Sequence, residues 1–207
     1  MSLMGLFLMT FLVVHLGINL LLLFDPTREL FNVVAHFMGT NPVIQIFQWV
    51  LFAGFAIHIV LGITLQIQNW IARPKRYSKT NYSNTSFFSK FMIHTAIITL
   101  VFFAIHFADF YFKAKFGHAE TMVVDGVLYH DFATEIVDKF KMLPFVVFYI
   151  AAFIFLGFHL VHGFQSAFKT LGLDNKSFTP VIQALAIVYS VIIVGGYTMI
   201  PLMIYFS

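Results

Sequence analysis

The sequence contains no cysteine, and this absence limits the chemistry that the chain can support. Without thiols it cannot form a disulfide, ligate an iron–sulfur cluster or hold a haem through a thiolate. Any metal site must therefore use histidine, methionine or carboxylate ligands. Histidine occurs nine times and becomes the main candidate ligand.

Charged residues are also scarce. Asp, Glu, Lys and Arg make up only 10% of the 207 residues, whereas 60% are hydrophobic and the mean hydropathy is +0.88. This composition excludes an ordinary soluble globular protein and is typical of an integral membrane protein. The net charge of +3 is spread over loops, without a basic arm that would indicate nucleic-acid binding. The first apolar run lacks a basic flank and a small-residue cleavage site, so we expect a retained span rather than a signal peptide.

Five apolar segments are long enough to cross a hydrocarbon core of about 30 Å, which takes about 20 helical residues. We expect an all-α membrane protein, one domain over residues 1–207, with spans at about 3–24, 43–71, 88–112, 143–168 and 180–206. Prolines mark the span ends: Pro26, Pro42, Pro74, Pro144 and Pro180. Such prolines end a helix or occupy its first turn. A short apolar stripe between the first two spans, from Leu30 to Phe37, indicates a helix lying along the interface.

The loop charges predict an orientation. The connection between the second and third spans contains five basic residues and no acid: Arg73, Lys75, Arg76, Lys79 and Lys90. The connection at residues 113–142 mixes both signs. Because basic loops stay on the cytoplasmic side, we expect a cytoplasmic N-terminus and an outer C-terminus.

Five histidines fall well inside the apolar runs: His15, His58, His106, His159 and His162. Ionisable side chains at membrane depth are costly and usually face the bundle interior, where they have a partner. In one interpretation they are neutral imidazoles that form hydrogen bonds between helices. In another, the first four spans each carry at least one of these histidines and the fifth carries none, and one histidine from each of the four provides the ligands for two haems b, each held by two imidazoles.

Depth indicates how the histidines would pair. At about 1.5 Å of rise per residue, His15 and His106 belong to the outer halves of their spans. His58 and His159 lie from mid-depth to the inner half. We therefore expect an outer pair, His15 with His106, and an inner pair, His58 with His159. His162, three residues after His159, could replace it as ligand or act as its neighbour in a second shell.

Three glycines stand four residues from the inner histidines, on roughly the same helix face: Gly54, Gly62 and Gly163. Without side chains they would leave room for a flat macrocycle, or they would simply permit close helix packing.

Five stretches carry a family signal: HLGINLLLLF, FNVVAHFMGTNP, HIVLGITLQIQNWIARPKRY, FFAIHFADFYF and FHLVHGFQSAFKTLGL. On these stretches the chain resembles the cytochrome b membrane anchor of succinate dehydrogenase and fumarate reductase, in its single-subunit, five-helix, di-haem form similar to that of Bacteroidetes. The resemblance covers most of the chain. It implies haem ligands on the first four helices, the first paired with the third and the second with the fourth, and it selects His159 over His162.

The resemblance also implies two haems b, menaquinone, and a bacterial cytoplasmic membrane. The flavoprotein and iron–sulfur partner subunits would carry out the dicarboxylate chemistry. Residues near the outer haem that could serve a quinone are Asp109, Gln45, Gln48 and His36. Some family members carry a glutamate for proton transfer two residues before the fourth-helix ligand. This chain has Gly157 there, so we do not expect that route.

Two alternatives remain open from the sequence. The first is a cytochrome b subunit of a hydrogenase or formate dehydrogenase, which would lack these flanking stretches. The second is a proton-coupled transporter that uses intramembrane histidines. A transporter would be expected to show internal repeats and interrupted helices.

Overall fold

The computed structural model describes residues 1–72, 91–117 and 120–207. Within these residues, five helices are long and apolar enough to cross a membrane, which confirms a mostly helical, multi-pass membrane protein. They are α1 (Ser2–Phe24), α3 (Pro42–Ile71), the third span (Met92–Phe116), α7 (Leu143–Thr170) and α8 (Phe178–Phe206). The predicted bounds lie within two residues of the observed ones, except that the third span continues to Phe116. The start of that predicted span, the basic loop from Arg73 to Lys90 and His118 lie outside the described residues.

The helix starts follow local sequence signals. The side chain of Asn41 accepts hydrogen bonds from the backbone N–H groups of Val43 and Ile44, at 3.0 and 3.3 Å. Pro42 occupies the first turn of α3, where a missing N–H group costs nothing. Pro144 has the same place in α7. A capping asparagine and prolines in the first turn therefore mark where these apolar segments begin as helices.

The third span is not a uniform α-helix. It consists of α4 (Met92–His106), a π-helical turn (Phe107–Tyr111) and α5 (Phe112–Phe116). The turn begins directly after His106. Single π turns are rare and are frequently found at functional sites. The sequence pattern did not predict this one.

A small cap covers one end of the bundle. It contains α2 (Glu29–Thr40), the antiparallel hairpin of β1 (Thr121–Val124) and β2 (Val127–His130), and α6 (Phe132–Phe140). The positive φ angles of Asp125 and Gly126, 49° and 79°, close the hairpin in two residues. The helix α2 was predicted, whereas the hairpin and α6 lie in a stretch expected only to connect two spans.

Asn32 joins the parts of the cap. Its side chain is fully buried, donates to Asp131 Oδ1 at 2.9 Å, and accepts from the Ala133 N–H at 3.0 Å. Asp131 also caps α6 by accepting from the Thr134 N–H at 3.1 Å. Burial raises the pKa of the Asp131 carboxyl, but hydrogen bonds from Thr134 and Asn32 outweigh it and hold that pKa below its usual range.

The helix α7 is the centre of the bundle. It packs against α1, α4 and α8, and with α8 it contributes most of the buried side chains. In contrast, Gly54 is the single buried residue of α3, and Thr95 is the single buried residue of α4. The two least buried spans are thus two of the four that carry the paired histidines.

Candidate metal centre

The structure brings four histidines together as two pairs. The outer pair is His15 on α1 and His106 on α4, whose ring centroids are 5.9 Å apart with planes at 84°. The inner pair is His58 on α3 and His159 on α7, at 6.3 Å and 72°. These are the pairs expected from depth. Their role as metal ligands stays a prediction.

Each pair lies at one level in the bundle. The outer histidines lie nine and ten residues from the capped ends of their spans, and the inner histidines both lie sixteen residues from theirs. At about 1.5 Å per residue the two levels are about 10 Å apart. His106 lies ten residues from the capped end because the third span continues to Phe116. With the predicted end at residue 112, the distance would be six residues.

The spacing within each pair fits a shared metal. A metal–imidazole bond is about 2 Å long and the ring centre lies about 1 Å further, so two rings on opposite sides of one ion have centroids roughly 6 Å apart. The observed 5.9 and 6.3 Å fall at this value. Each pair could therefore hold one metal ion between its two imidazoles.

The ring nitrogens also argue against simple helix packing. The Nδ1 atoms of His58, His106 and His159 are buried and have no hydrogen-bond partner among the described residues. His15 Nδ1 lies 3.4 Å from the side-chain nitrogen of Asn19, one turn along the same helix. Buried polar atoms normally have partners. The four imidazoles therefore do not join helices through hydrogen bonds at Nδ1, as they could if they served only helix packing.

Aromatic side chains surround the outer pair. Phe11 stacks on His15 at 5.2 Å, and Phe102 stacks on His106 at 5.7 Å. Tyr197 and Tyr149 lie 6.1 and 6.3 Å from the two histidines, respectively. This apolar wall would keep water from a bound group.

The ring that lies opposite His58 is that of His159, not that of His162. The backbone of α1 also comes close, because a Cβ atom at Gly5 would lie 3.7 Å from His58 Cε1. No sequence spacing connects Gly5 with His58, because the two residues lie on different helices.

The three glycines predicted near the inner pair contact α1. A Cβ atom at Gly54 would lie 3.1 Å from the Phe7 ring. At Gly62 and Gly163 it would lie 3.2 and 3.3 Å from methionine Cε atoms, those of Met1 and Met9. These glycines therefore allow the N-terminal half of α1 to approach α3 and α7. Whether they also face a macrocycle stays a prediction.

Two of the residues predicted for a quinone meet the π-helical turn. Asp109 belongs to the turn, and its Oδ1 lies 2.6 Å from Lys139 Nζ on α6. Gln48 on α3 donates a hydrogen bond to the Tyr111 hydroxyl at 2.8 Å. The turn thus contacts a cap helix on one side and α3 on the other. Tyr111 carries no sequence signal of its own.

The other two predicted quinone residues lie elsewhere in or beside the cap. Gln45 is exposed and donates to the Gly39 carbonyl at 3.0 Å. The His36 ring packs edge-on against Tyr129 of β2 at 5.1 Å. The structure does not gather all four predicted residues into one site.

Gly157, two residues before His159, is a close contact between α7 and α8. Its carbonyl accepts a hydrogen bond from Ser190 Oγ at 2.9 Å. A Cβ atom there would lie 2.8 Å from Val194 Cγ2. The helix interface therefore leaves no room for a longer side chain at this position.

Among the residues that the structure describes, no three His, Asp or Glu side chains come together as a metal site of their own. Comparison of the chain with family models, with curated proteins and with solved structures found no match. The family resemblance therefore stays a prediction as well.

Proposed function

We propose that the protein is the di-haem cytochrome b membrane anchor of a succinate dehydrogenase or fumarate reductase. It would pass electrons between an iron–sulfur subunit and menaquinone. The observation that carries the proposal is the arrangement of two imidazole pairs at two depths, each at the separation of two ligands on one metal.

In this function His15 and His106 hold one haem iron, and His58 and His159 hold the other. When bound, haem b supplies one-electron redox chemistry. Each pair draws its imidazoles from two different spans, so ligation also ties these helices together. The aromatic wall around the outer pair excludes water.

The proposed orientation follows the loop charges. The end of the bundle opposite the cap carries the N-terminus and faces the cytoplasm of a bacterial cell, and the capped end faces outward. The flavoprotein and iron–sulfur subunits dock on the cytoplasmic end. The inner pair is nearer to that end, so a redox group that it holds would be the first to exchange electrons with the iron–sulfur subunit.

A quinone fits the π-helical turn best. The Gln48 amide on α3 donates to the Tyr111 hydroxyl at 2.8 Å, and Tyr111 stands five residues beyond His106. Both groups can donate hydrogen bonds to a quinone. The rings of Phe52 and Phe107 lie beside them, at 5.6 Å from each other, and can pack on an apolar ring. Asp109 belongs to the same turn, where its carboxylate forms an ion pair with Lys139.

The test is a reduced-minus-oxidised optical spectrum with a pyridine haemochrome count, on the wild-type protein and on single His→Ala variants. We expect two haems b per chain. Loss or perturbation of one haem is expected in each of four variants: His15→Ala, His58→Ala, His106→Ala and His159→Ala. His162→Ala serves as the matched control and should keep both. A wild-type protein without haem would reject the proposal.

The partner subunits are tested separately. Affinity purification of the chain from mild detergent extracts of its native membrane should recover a flavoprotein and an iron–sulfur protein in equal amounts. Recovery of a hydrogenase or formate dehydrogenase subunit would instead select the alternative oxidoreductase.

A further inference from the structure

An ion pair links the π-helical turn to the cap. Asp109 Oδ1 and Lys139 Nζ lie 2.6 Å apart, with side chains only 17% and 20% exposed. The ammonium group also lies 4.2 Å from the centre of the Phe145 ring. Salt screens such a partly buried pair much less than it screens surface charges.

The pair is close to the outer histidines. Asp109 follows His106 by three residues, which is about 4 to 5 Å of rise along a helix. Its carboxylate interacts electrostatically with the His106 ring and with the Tyr149 phenol. Lys139 belongs to α6, which is outside the membrane-spanning helices. The negative charge of Asp109 thus lies on the span that carries His106, and the positive charge of Lys139 lies on a helix of the cap.

We propose that Asp109 and Lys139 are positioning residues that set the charge balance at the outer pair and so the redox potential of the group it holds. This inference rests on the proposed function. The Asp109 carboxylate favours the oxidised, more positive state of an iron on His106, and the Lys139 ammonium compensates for it. Removal of the Asp109 charge and removal of the Lys139 charge must therefore shift the redox potential in opposite directions.

The expected size follows from Coulomb's law. A unit charge about 10 Å from a redox centre, at an effective dielectric constant of about 20, changes an equilibrium constant by about tenfold. In Lys139→Gln the uncompensated carboxylate should raise the ratio of oxidised to reduced outer haem about tenfold at a fixed ambient potential. In Asp109→Asn the uncompensated ammonium should lower it by a similar factor. The double variant should return close to the wild-type ratio.

The experiment is an optical redox titration of the purified protein at pH 8. It compares the wild type, the two single variants and the double variant. Lys139→Arg keeps the charge and should leave the titration unchanged. Lys169→Gln breaks an exposed ion pair with Asp174, 4.0 Å long, near the opposite end of α7 and serves as the matched control.

Opposite shifts in the single variants, cancelled in the double variant and confined to one haem, would support the inference. Unmoved potentials, or shifts in the same direction in both single variants, would overturn it, because a pair that only tethers α6 would act in that way. If Asp109→Asn loses its haem, Lys139→Gln alone tests the inference. A higher ratio of oxidised to reduced outer haem would support it, and an unchanged or lower ratio would overturn it. A wild-type protein without haem overturns the proposed function first, whereas haem with unmoved potentials overturns this inference alone.

Discussion

His58 and His159 face each other at 6.3 Å because α3 and α7 both begin at the cap and both carry their histidine sixteen residues further on. Two parallel helices with equal offsets place the two rings at one depth without any adjustment of either helix. The outer pair follows nearly the same rule on the two spans that end at the cap, with offsets of nine and ten residues. Each level therefore combines one pair of parallel helices.

The angles between the imidazole planes predict a spectroscopic signature. The planes are at 84° in the outer pair and 72° in the inner pair. If the two pairs hold haem iron as proposed, near-perpendicular imidazole ligands would leave the iron dπ orbitals close in energy. We would then expect two highly anisotropic low-spin ferric signals in low-temperature electron paramagnetic resonance.

The variants assign these signals. His58→Ala should remove or change one signal and His106→Ala the other, while His162→Ala should leave both intact. Two ordinary rhombic low-spin signals would show that the bound imidazoles are nearly parallel and would contradict the geometry described above.

Two buried tyrosines on the outer pair should respond differently to loss of the hydroxyl group. The Tyr197 hydroxyl donates to the Leu12 carbonyl at 2.9 Å, whereas the Tyr149 hydroxyl is buried without a partner in the described structure. Tyr197→Phe should lower the free energy of unfolding by about 0.5–1.5 kcal/mol, and Tyr149→Phe should be neutral or stabilising. Unfolding in detergent measures both. An equal loss in Tyr149→Phe would mean that this hydroxyl does find a hydrogen-bond partner.

The spans and the histidine pairing could be anticipated from sequence because both depend on short-range rules. The rise of a helix is fixed, so residue counts become depths, and apolar length becomes a span. His162 marks the limit of this reasoning. Spacing alone could not choose between it and His159, since both lie on overlapping parts of one helix face.

Other features depend on contacts that no local pattern records. The π-helical turn from Phe107 has no distinctive residue, and the Asp109–Lys139 pair joins segments thirty residues apart. The hairpin is different, because Asp125-Gly126 between two apolar stretches is a strong turn signal that could have been recognised. The apolar length of the spans, from which the fold is predicted, carries no information about such a short hairpin.

The cap should depend on Asn32 and on pH. Asn32→Ala removes one partner each from the Asp131 carboxylate and the Ala133 N–H, so we expect a local loss of about 1–3 kcal/mol. Faster amide hydrogen exchange over residues 120–140 would report it, with the exposed Asn175→Ala as a control. Exchange rates equal to those of the wild type would show that α2 and α6 stay docked without this side chain.

The pH dependence follows from the lowered pKa of Asp131. A carboxyl whose pKa is lower in the folded state stabilises the fold fully above its unfolded pKa of about 3.9 and loses that contribution as the pH falls through the lower, folded value. Exchange in the cap should therefore accelerate below about pH 4, relative to the spans. Asp131→Asn should remove most of this acid sensitivity, and an unchanged acid response in that variant would locate it elsewhere.

The contact at Gly157 makes the sharpest stability prediction. A Cβ atom there would lie 2.8 Å from Val194 Cγ2 and 3.2 Å from Ser190 Oγ, and valine is a stiff, β-branched neighbour. Gly157→Ala should therefore force α7 and α8 apart and cost about 1–3 kcal/mol. Gly17→Ala is the matched control, because a Cβ atom at Gly17 meets nothing within 4 Å. Unfolding in detergent should show a clear loss at Gly157 and almost none at Gly17. Equal stability of the two variants would mean that the α7–α8 contact is looser than its geometry indicates, and a longer side chain beside His159 would then be permitted.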